Sequence, residues 1–579
     1  MAEKFWRFRE FELDRGSFSL RRFGVPVKLD PKPLELLFLL AERSGAVVSH
    51  DEALERIWGE GVFVDGESAL YTAVKKIRRA LDDLELVQTI SGRGYRLRVE
   101  SMAAIAPAEK AADNERLAIL PLANLSGDPA QDYFSDGLTE ELIATLAKLL
   151  HGRMGVIART SVMRFKTVSR PIQVIAHELG VNYLIEGSVR RQQNRVRISV
   201  QLLRAADGVS LCSETFERGT EDVFALQREI ALAASSSIRA KLTGEIEATG
   251  TGLGLAPVQP EVHDLYLRGR YLWAQRTRPT IEAAIRLFRE ALSLDKGFAP
   301  AYAGLSCCYA ILPITSNGSP AECFPQAQAL ATEAIALDAS QTEAHIALGL
   351  VEFWYKRNWS EAVQYFRHAM VLNPSDSAGP MFLAHVHSVL GEHEQAQRTI
   401  ADALRLDPLS PIVGTHVGHF LYNAGRFREA QGPLARVVEM NPQFWVAHLM
   451  QGKALASAGR SNAGLQAFAR AQRFGMGNTE ALSFRIHTLA AGGQMDRAQA
   501  GMREMEKLRA TQPVSPIHRA LARLGLGERK AALELLEEAF AARDVRLIFL
   551  GVEERWKAVG DSAYGELLGR AGLGGVVAG

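Results

Sequence analysis

Apolar residues recur along residues 67–81 at the three- and four-residue spacing of an α-helix. The apolar positions are Leu70, Val74, Ile77 and Leu81. The other side carries small hydroxyl groups and cations: Ser68, Thr72, Lys75, Lys76 and Arg79, with Tyr71 and Arg78 at its flank. Hydroxyl groups and long basic side chains reach base edges and phosphates in a major groove. Taken alone, the pattern also fits an ordinary amphipathic helix with a solvated basic face.

The neighbouring segments favour the first interpretation. Residues 33–41 form a strongly apolar pattern, and Ser49 is an expected N-cap for a short helix that reaches Trp58. Residues 86–90 and 95–99 are β-type runs joined by a glycine-containing turn, and residues 5–27 alternate between apolar and charged positions. Strands, three helices and a hairpin predict a helix-turn-helix with a wing.

Residues 1–100 resemble the OmpR/PhoB-type winged-helix DNA-binding domains. The shared stretches are residues 33–37, 45–49, 57–59, 77–81 and 89–95. The resemblance implies that residues 67–81 are the recognition helix and that Arg93 enters a minor groove at the tip of the wing. The better-known members carry a phosphoacceptor receiver domain before the winged helix, whereas here the winged helix comes first.

A second domain is predicted over residues 113–245, after a linker at 101–112. A buried strand at 117–122, helices at 136–150 and 172–179, a short strand at 155–158 and three long strands at 183–191, 195–204 and 209–218 indicate an α/β unit, closed by a helix at 221–242. Residues 118–128, 133–137, 178–180 and 186–190 resemble the TolB-like domain of bacterial signalling proteins. That resemblance implies no catalytic activity.

The remainder, residues 258–579, follows a second linker at 246–257 and repeats with a period of 34 residues. The recurring glycines are Gly391, Gly425, Gly459, Gly493 and Gly527. A small residue follows each glycine by five positions and a large apolar residue by nine, the pattern of tetratricopeptide repeats. Arg357 and Asn358 replace the glycine of one earlier repeat, and residues 313–320 insert a loop. We expect roughly eight helix pairs in a superhelix with a concave binding face.

Composition narrows the function classes. The formal net charge is +1, and residues 1–100 balance their acidic and basic side chains, so basic charge is local to the third helix and the wing. Four cysteines, no apolar leader and no membrane-spanning apolar run favour a soluble cytoplasmic protein.

Motifs for catalysis, cofactors or metals are not predicted. Residues 459–464 have glycines at P-loop spacing without the lysine and hydroxyl that a P-loop needs, and residues 250–254 are read as linker. His385, His387 and His393, like the cysteines, lack the spacing of a zinc site.

The sequence therefore predicts a multidomain α+β protein with an N-terminal winged helix-turn-helix, a mixed α/β TolB-like middle domain and a C-terminal all-α tetratricopeptide (TPR) solenoid. Its expected function is sequence-specific transcriptional regulation, without enzyme activity or cofactor. The expected partners are double-stranded DNA, a protein or peptide in the TPR groove, and a second copy of the chain on DNA. The alternative is a signalling scaffold that recruits partners through its repeats and does not read DNA. A nucleotide cyclase with the same middle domain is not favoured, because no stretch remains for a catalytic domain.

Overall fold

The computed structural model divides the chain into two compact units, residues 1–113 and 114–579. The residues that it describes are 5–8, 11–15, 18–22, 25–27, 29–43, 45–58, 66–81, 86–90, 92–97, 103–105, 115–128, 131–150, 154–167, 170–192, 195–219, 230, 233, 259–275, 277–315, 318–475 and 479–574. The predicted helix at 221–242 and the linker at 246–257 lie outside them, apart from two positions of that helix.

The first unit has the predicted order of strands, three helices and a hairpin. Its elements are β1 (Phe5–Phe8), β2 (Phe11–Asp14), β3 (Ser19–Arg22), β4 (Val25–Pro26), α1 (Pro31–Glu42), α2 (His50–Trp58), α3 (Gly66–Ala80), β5 (Val87–Ile90), β6 (Gly94–Leu97) and β7 (Ala103–Ile105). The antiparallel sheet has the order β4-β3-β2-β1-β7, and β5 pairs with β6 as the wing. The winged helix-turn-helix is thus confirmed.

The core of this unit forms around the apolar helix α1. Leu36, Leu37 and Leu40 are fully buried, and the ring of Phe38 lies 6.0 Å from that of Trp6 on β1. Ser49 caps α2 as predicted, because its hydroxyl accepts a hydrogen bond from the backbone N–H of Glu52 at 3.1 Å. The apolar sequence of α1 therefore anchors the sheet on one side and α3 on the other.

Part of the predicted 101–112 linker belongs to the fold of the first unit. Residues 103–105 form β7, which pairs antiparallel with β1 at the edge of the sheet. Three residues without a clear alternation are too short for a periodicity argument. Their pairing partner is almost one hundred positions away, so the strand follows from tertiary contact.

The middle domain is a mixed sheet with helices, as predicted. Its elements are β8 (Arg116–Ile119), β9 (Ala123–Asn124), α4 (Asp132–Leu149), β10 (Gly155–Val156), α5 (Arg159–Val162), α6 (Ile172–Leu179), β11 (Tyr183–Gln192), β12 (Arg195–Arg204) and β13 (Ser210–Gly219). The strand order is β10-β8-β11-β12-β13, with β9 paired to β11. Strands β10, β8 and β11 run parallel, whereas β11, β12 and β13 form an antiparallel meander.

Element boundaries of the middle domain differ from the prediction at three places. Strand β8 ends at Ile119 and not at residue 122. Helix α4 begins at Asp132 and not at residue 136; the amide of Asn124 donates to the Asp132 carboxylate at 2.8 Å and fixes this extra turn. Strand β10 ends at Val156 and not at residue 158, because the N–H of Ala158 donates at 2.8 Å to the carbonyl of Leu406 in the repeats. The contact of Ala158 with Leu406 joins segments distant in sequence, whereas Asn124 and Asp132 are eight residues apart.

The described part of the C-terminal region forms eight helix pairs. They are Pro260–Ala274 with Arg278–Leu294 (repeat 1), Ala299–Thr315 with Pro320–Leu337 (repeat 2), Thr342–Leu350 with Trp359–Leu372 (repeat 3), Ala378–Val389 with His393–Leu406 (repeat 4), Pro411–Asn423 with Phe427–Met440 (repeat 5), Trp445–Ser457 with Ser461–Phe474 (repeat 6), Thr479–Ala491 with Met495–Arg509 (repeat 7) and Pro516–Gly525 with Arg529–Ala541 (repeat 8). The loop predicted to begin at residue 313 starts later, since the first helix of repeat 2 continues through Pro313 to Thr315.

The turn between the helices of a repeat requires a left-handed backbone. The recurring glycine of repeats 4–8 has φ between +72° and +82°. In repeat 3 the same position is Arg357, with φ +58°, after a π-helical extension Val351–Lys356. The Arg357 guanidinium lies 5.0 Å from the ring centre of Phe540, a contact that offsets part of the backbone strain.

The middle domain and the repeats share one structural unit. The Ser161 hydroxyl donates to the Asp407 carboxylate at 2.5 Å and accepts from the N–H of Leu409 at 2.8 Å. Tyr133 donates to Asp264 at 2.6 Å, across the same boundary. Burial raises the pKa of Asp407, whose charge is held by hydroxyl donors. The middle domain is therefore packed against the repeats and does not sit apart from them.

The chain after the last repeat folds back among the repeats. We call residues 544–559 the closing segment; it contains two 3₁₀ turns, Val545–Phe549 and Glu554–Val559, and a last helix, Asp561–Arg570, follows. Val545, Leu547, Ile548 and Trp556 are buried in the same apolar cluster as the repeat helices. Across the described ranges, no helix is both long and apolar enough to cross a membrane.

Candidate nucleic-acid interface

Helix α3 has the two faces that its sequence predicts. Leu70, Val74, Ile77 and Leu81 are each exposed by 1% or less. They pack in the cluster that includes the α1 side chains and the wing strands. The register of α3 is therefore fixed by its apolar stripe, and the opposite face must point to solvent.

All predicted contact residues on α3 are exposed. They are Ser68, Tyr71, Thr72, Lys75, Lys76 and Arg79. Tyr71 is 62% exposed, which is unusual for an aromatic side chain. The Thr72 hydroxyl donates to the Ser68 carbonyl at 2.8 Å, so its oxygen and methyl group remain available on the surface. The structure brings these side chains onto one face, while their contacts with DNA remain a prediction.

The cations of α3 differ in their partners. The Lys76 ammonium lies 2.5 Å from the carboxylate of Asp30, which precedes α1, and both side chains are about half exposed. Within the part of the chain that the structure describes, the charged groups of Lys75 and Arg79 have no ion pair or hydrogen bond. Lys75 and Arg79 are therefore ready to bind phosphates or bases, whereas Lys76 must first leave Asp30.

Arg78 has a role that the sequence did not reveal. Its guanidinium donates to the Val87 carbonyl from Nε at 2.9 Å and from Nη2 at 2.6 Å, and Nη2 also donates to the Thr89 hydroxyl at 2.9 Å. The sequence placed Arg78 at the flank of α3 within the basic patch. In the structure it fastens the first wing strand to the recognition helix, so the spacing between helix and wing is fixed.

The wing is attached to the rest of the domain through Gly94 and Tyr95. Val48 and Tyr95 exchange two backbone hydrogen bonds, at 2.8 and 2.9 Å. Gly94 has φ +141°, and a Cβ atom there would lie 1.9 Å from the Val48 carbonyl oxygen. Arg93, between Gly92 and Gly94, is exposed at the turn, as predicted for a side chain that enters a groove.

The histidines of the repeats lie among aromatic side chains. The described ranges contain no cluster of three or more His, Cys, Asp or Glu side chains that could hold a metal ion. His385 instead packs against His416, with 3.2 Å between their Nε2 atoms, inside an aromatic cluster. The exposed face of α3 and the wing remain the best candidate site, and their arrangement is that of a DNA-reading winged helix.

Three family models match the chain. Residues 24–97 match the transcriptional regulatory protein C-terminal family, residues 112–233 match the second domain of HilA/YgeH-like transcriptional regulators, and residues 418–479 match a tetratricopeptide repeat. The chain thus combines an OmpR/PhoB-type regulatory domain, a HilA-like regulator domain and TPR repeats. The TolB-like resemblance of the middle domain remains a prediction.

Similar proteins cover different shares of the chain. The putative adenylate cyclase 3 of Rhizobium meliloti is 35% identical over 323 residues, which are 55% of this chain and 52% of that protein. The transcriptional regulator HilA of Salmonella typhimurium is 23% identical over 423 residues, 72% of each protein. The regulatory protein CseB of Streptomyces avermitilis is 33% identical over 91 residues, 16% of this chain and 38% of that protein. This chain therefore spans about half the length of the first of these relatives.

Proposed function

We propose that this protein is a DNA-binding transcriptional regulator that reads duplex DNA through α3 and the wing. The observation that carries the proposal is the exposed face of α3, where hydroxyl groups and two unpaired cations stand beside a wing fastened by Arg78. Bases are read from Ser68, Tyr71, Thr72, Lys75 and Arg79, and the backbone is held by Lys76. The regulatory family that matches residues 24–97 supports the same function.

The first prediction concerns Arg79. A duplex selected from a random pool with residues 1–113 serves as the probe, because this unit has its own core. Arg79→Ala should weaken binding to that duplex by roughly 1–3 kcal/mol, since a guanidinium that reads guanine loses two hydrogen bonds. Fluorescence anisotropy measures the affinity, and Arg56→Ala on α2 is the control. An Arg79→Ala variant as tight as this control would exclude α3 as the reader.

Lys76 is expected to act on all sequences alike. Lys76→Ala should weaken binding to selected and unrelated duplexes equally. It should also lower the slope of log affinity against log salt concentration by about one, because one phosphate contact is lost. Asp30→Asn should have the opposite effect, strengthening binding by roughly 0.2–1 kcal/mol, since Lys76 no longer leaves an ion pair. Salt titrations of both variants measure this. A sequence-dependent loss in Lys76→Ala would instead assign Lys76 to base readout.

Arg93 is expected to favour DNA sites with a narrow minor groove beside the sequence that α3 reads. In an A·T-rich flank the minor groove is narrow and strongly negative, so an inserted guanidinium binds best there. Arg93→Ala is therefore expected to reduce affinity more for sites with A·T-rich flanks than for sites with G·C-rich flanks. Binding to a matched pair of duplexes tests this, and equal losses on the two would contradict insertion.

The second unit supplies regulation in this proposal. We infer that the repeats bind a protein partner, that two copies of the chain bind DNA together, and that the protein acts in the cytoplasm without being an enzyme. A single winged helix covers one short half-site, which supports pairing on DNA. Sedimentation of the full chain with and without a two-site duplex measures the pairing. Incubation with ATP, from which we expect no cyclic nucleotide, tests the absence of cyclase activity.

The alternative is a scaffold whose winged helix does not read DNA. The two functions separate in one measurement, the ratio of affinities for selected and unrelated duplexes. A regulator should show a large ratio that persists at physiological salt, whereas a scaffold would show only weak, salt-sensitive binding or none.

A further inference from the structure

The closing segment lies inside the superhelix of repeats. Arg546 contacts the Ile314 carbonyl of repeat 2 at 3.5 Å and the Glu480 carboxylate of repeat 7 at 3.1 Å. Between them, the Phe549 ring contacts Trp354 of repeat 3 at 5.7 Å and His419 of repeat 5 at 5.4 Å, measured between ring centres. The four contacted residues all lie on the first helix of a repeat or on the extension of that helix. The first helices line the inner face of such an array. The channel is thus occupied by the chain itself.

One part of the occupied channel is built around a carboxylate. Glu553 of the closing segment, with its side chain 4% exposed, lies 3.0 Å from the Lys453 ammonium of repeat 6. Tyr422 of repeat 5 donates to it at 2.7 Å, and Arg555 of the segment itself contacts it at 2.7 Å. Although burial opposes ionisation, Lys453 and Arg555 hold the pKa of Glu553 down to about 2. The repeats therefore offer a buried cation and a hydroxyl to one carboxylate.

A second part of the channel is lined by aromatic side chains. The Phe549 ring is surrounded by Trp354, His385 and His419. Phe549 and Glu553 are four residues apart, and the buried Leu550 lies between them. The channel thus recognises three features in order: an aromatic ring, an adjacent apolar side chain and a carboxylate.

The connection to repeat 8 carries local strain. Its second helix ends at Ala541, and Arg543 adopts φ +51°, a left-handed conformation that a residue with a side chain rarely adopts. The Arg543 guanidinium lies 4.7 Å from the ring centre of Tyr355 in repeat 3, so this strained residue is held against the repeats directly before the closing segment begins.

We propose that the channel is the docking site for a partner protein whose peptide presents an aromatic residue and, four positions later, a carboxylate, and that the closing segment is a tethered occupant which this peptide displaces. This rests on the proposed function, since it names the partner of the repeats. The tether gives the segment a high effective concentration, so the channel stays closed until a competing peptide is abundant or better matched.

The test uses the full chain and a fluorescent peptide with the sequence of residues 544–559. The wild-type chain should bind the peptide at least tenfold more weakly than the double variant Phe549→Ala/Glu553→Gln, whose own segment holds less well. Adding Lys453→Met to that double variant should weaken peptide binding at least tenfold. Adding Lys507→Met, on an outer helix, should leave peptide binding unchanged. A peptide that carries Glu553→Gln should bind the double variant as weakly as the unchanged peptide binds the Lys453→Met protein.

Hydrogen exchange of the wild-type chain makes the proposal testable even if the double variant fails to fold. Amides of the closing segment should exchange at least tenfold faster than those of the first helices of repeats 5 and 6, because the segment opens locally. Equal exchange rates, or a folded double variant that does not bind the peptide, would overturn the proposal. A dimer that dissociates in Glu553→Gln would also overturn it, by identifying a second copy as the occupant. None of these measurements involves DNA, so they fail or succeed independently of the proposed function.

Discussion

Acidification from pH 7.5 to pH 5.5 is expected to remove a large part of the stability of residues 114–579. Burial lowers the pKa values of seven histidines of the repeats: His345, His385, His393, His416, His419, His487 and His518. The pKa of His416 falls to about 3 and that of His487 to about 4. These side chains stay neutral in the folded protein at pH values where the unfolded chain is protonated.

The sign of the effect follows from proton binding. Below the ordinary histidine pKa of about 6.5, the unfolded chain binds more protons than the folded one, so the free energy of unfolding falls as the pH falls. The contribution is complete above pH 6.5 and is lost progressively down to the folded pKa. In this window, each such histidine lowers the free energy of unfolding by about 1.4 kcal/mol for each unit by which the pH falls.

Buried carboxylates act in the opposite direction. Burial, with Glu343 and Glu140 nearby, raises the pKa of Asp376 to about 6, and burial also raises the pKa values of Asp136 and Asp407. Near and below pH 6 the folded chain binds protons at these groups more tightly than the unfolded chain does, which offsets part of the histidine effect. Because the histidines outnumber these carboxylates, the free energy of unfolding should still fall with pH below 6.5, by roughly 1.4 kcal/mol per pH unit or more. This is large against a typical domain stability of roughly 5–15 kcal/mol.

Urea unfolding at pH 7.5, 6.5 and 5.5 measures this slope. His416→Phe keeps an aromatic ring beside Phe420, whose ring lies 5.5 Å away, and should reduce the slope by about one proton. Residues 1–113, in which His50 is the single histidine, serve as the control and should show a much smaller dependence. A stability that is constant over this range would contradict the buried neutral histidines.

Gly94→Ala should have the largest effect of any small substitution in the first unit. A methyl group at this position would overlap the backbone carbonyl of Val48, and φ +141° is itself unfavourable for alanine. To relieve the overlap, the wing strand must leave its pairing with Val48. We expect a loss of roughly 3–5 kcal/mol in stability and the loss of specific DNA binding.

Gly92→Ala is the matched control for this substitution. Gly92 has φ +68°, but a Cβ atom there meets nothing within 4 Å, so only the backbone preference of about 1 kcal/mol is lost. Thermal unfolding of residues 1–113 and anisotropy with the selected duplex should separate the two variants clearly. Equal melting temperatures for both would show that the contact with Val48 does not hold the wing.

The elements that the sequence predicts well are those whose periodicity is local. The stripe from Leu70 to Leu81 placed the exposed face of α3 correctly, and the 34-residue glycine spacing indicated the repeats. Contacts between distant segments escaped prediction: Arg78 with Val87, β7 with β1, and the packing of Ser161 against Asp407. None of these pairs has a spacing that a periodic pattern could reveal.

The repeat channel shows the same limit at a larger scale. The predicted concave face exists, but no sequence pattern indicated that Phe549 and Glu553 would fill it, because their partners in the repeats lie 100 or more positions away. Arg357 is a milder case: the absence of glycine was visible, whereas its left-handed conformation and its contact with Phe540 were not.

Contacts of Phe540 and Gly572 with repeat 3 constrain the number of repeats that lie between them. The Trp359 indole of repeat 3 donates to the Gly572 carbonyl at 3.2 Å, and Arg357 packs on Phe540 of repeat 8. An open array tolerates insertion or deletion of a repeat, since each repeat meets only its neighbours. Here repeat 3 contacts repeat 8 and Gly572, so adding or removing one 34-residue unit between them would pull these contacts apart. The stretch from repeat 3 to repeat 8 therefore behaves as a segment of fixed length, in which a repeat cannot be added or removed unless these contacts are rebuilt.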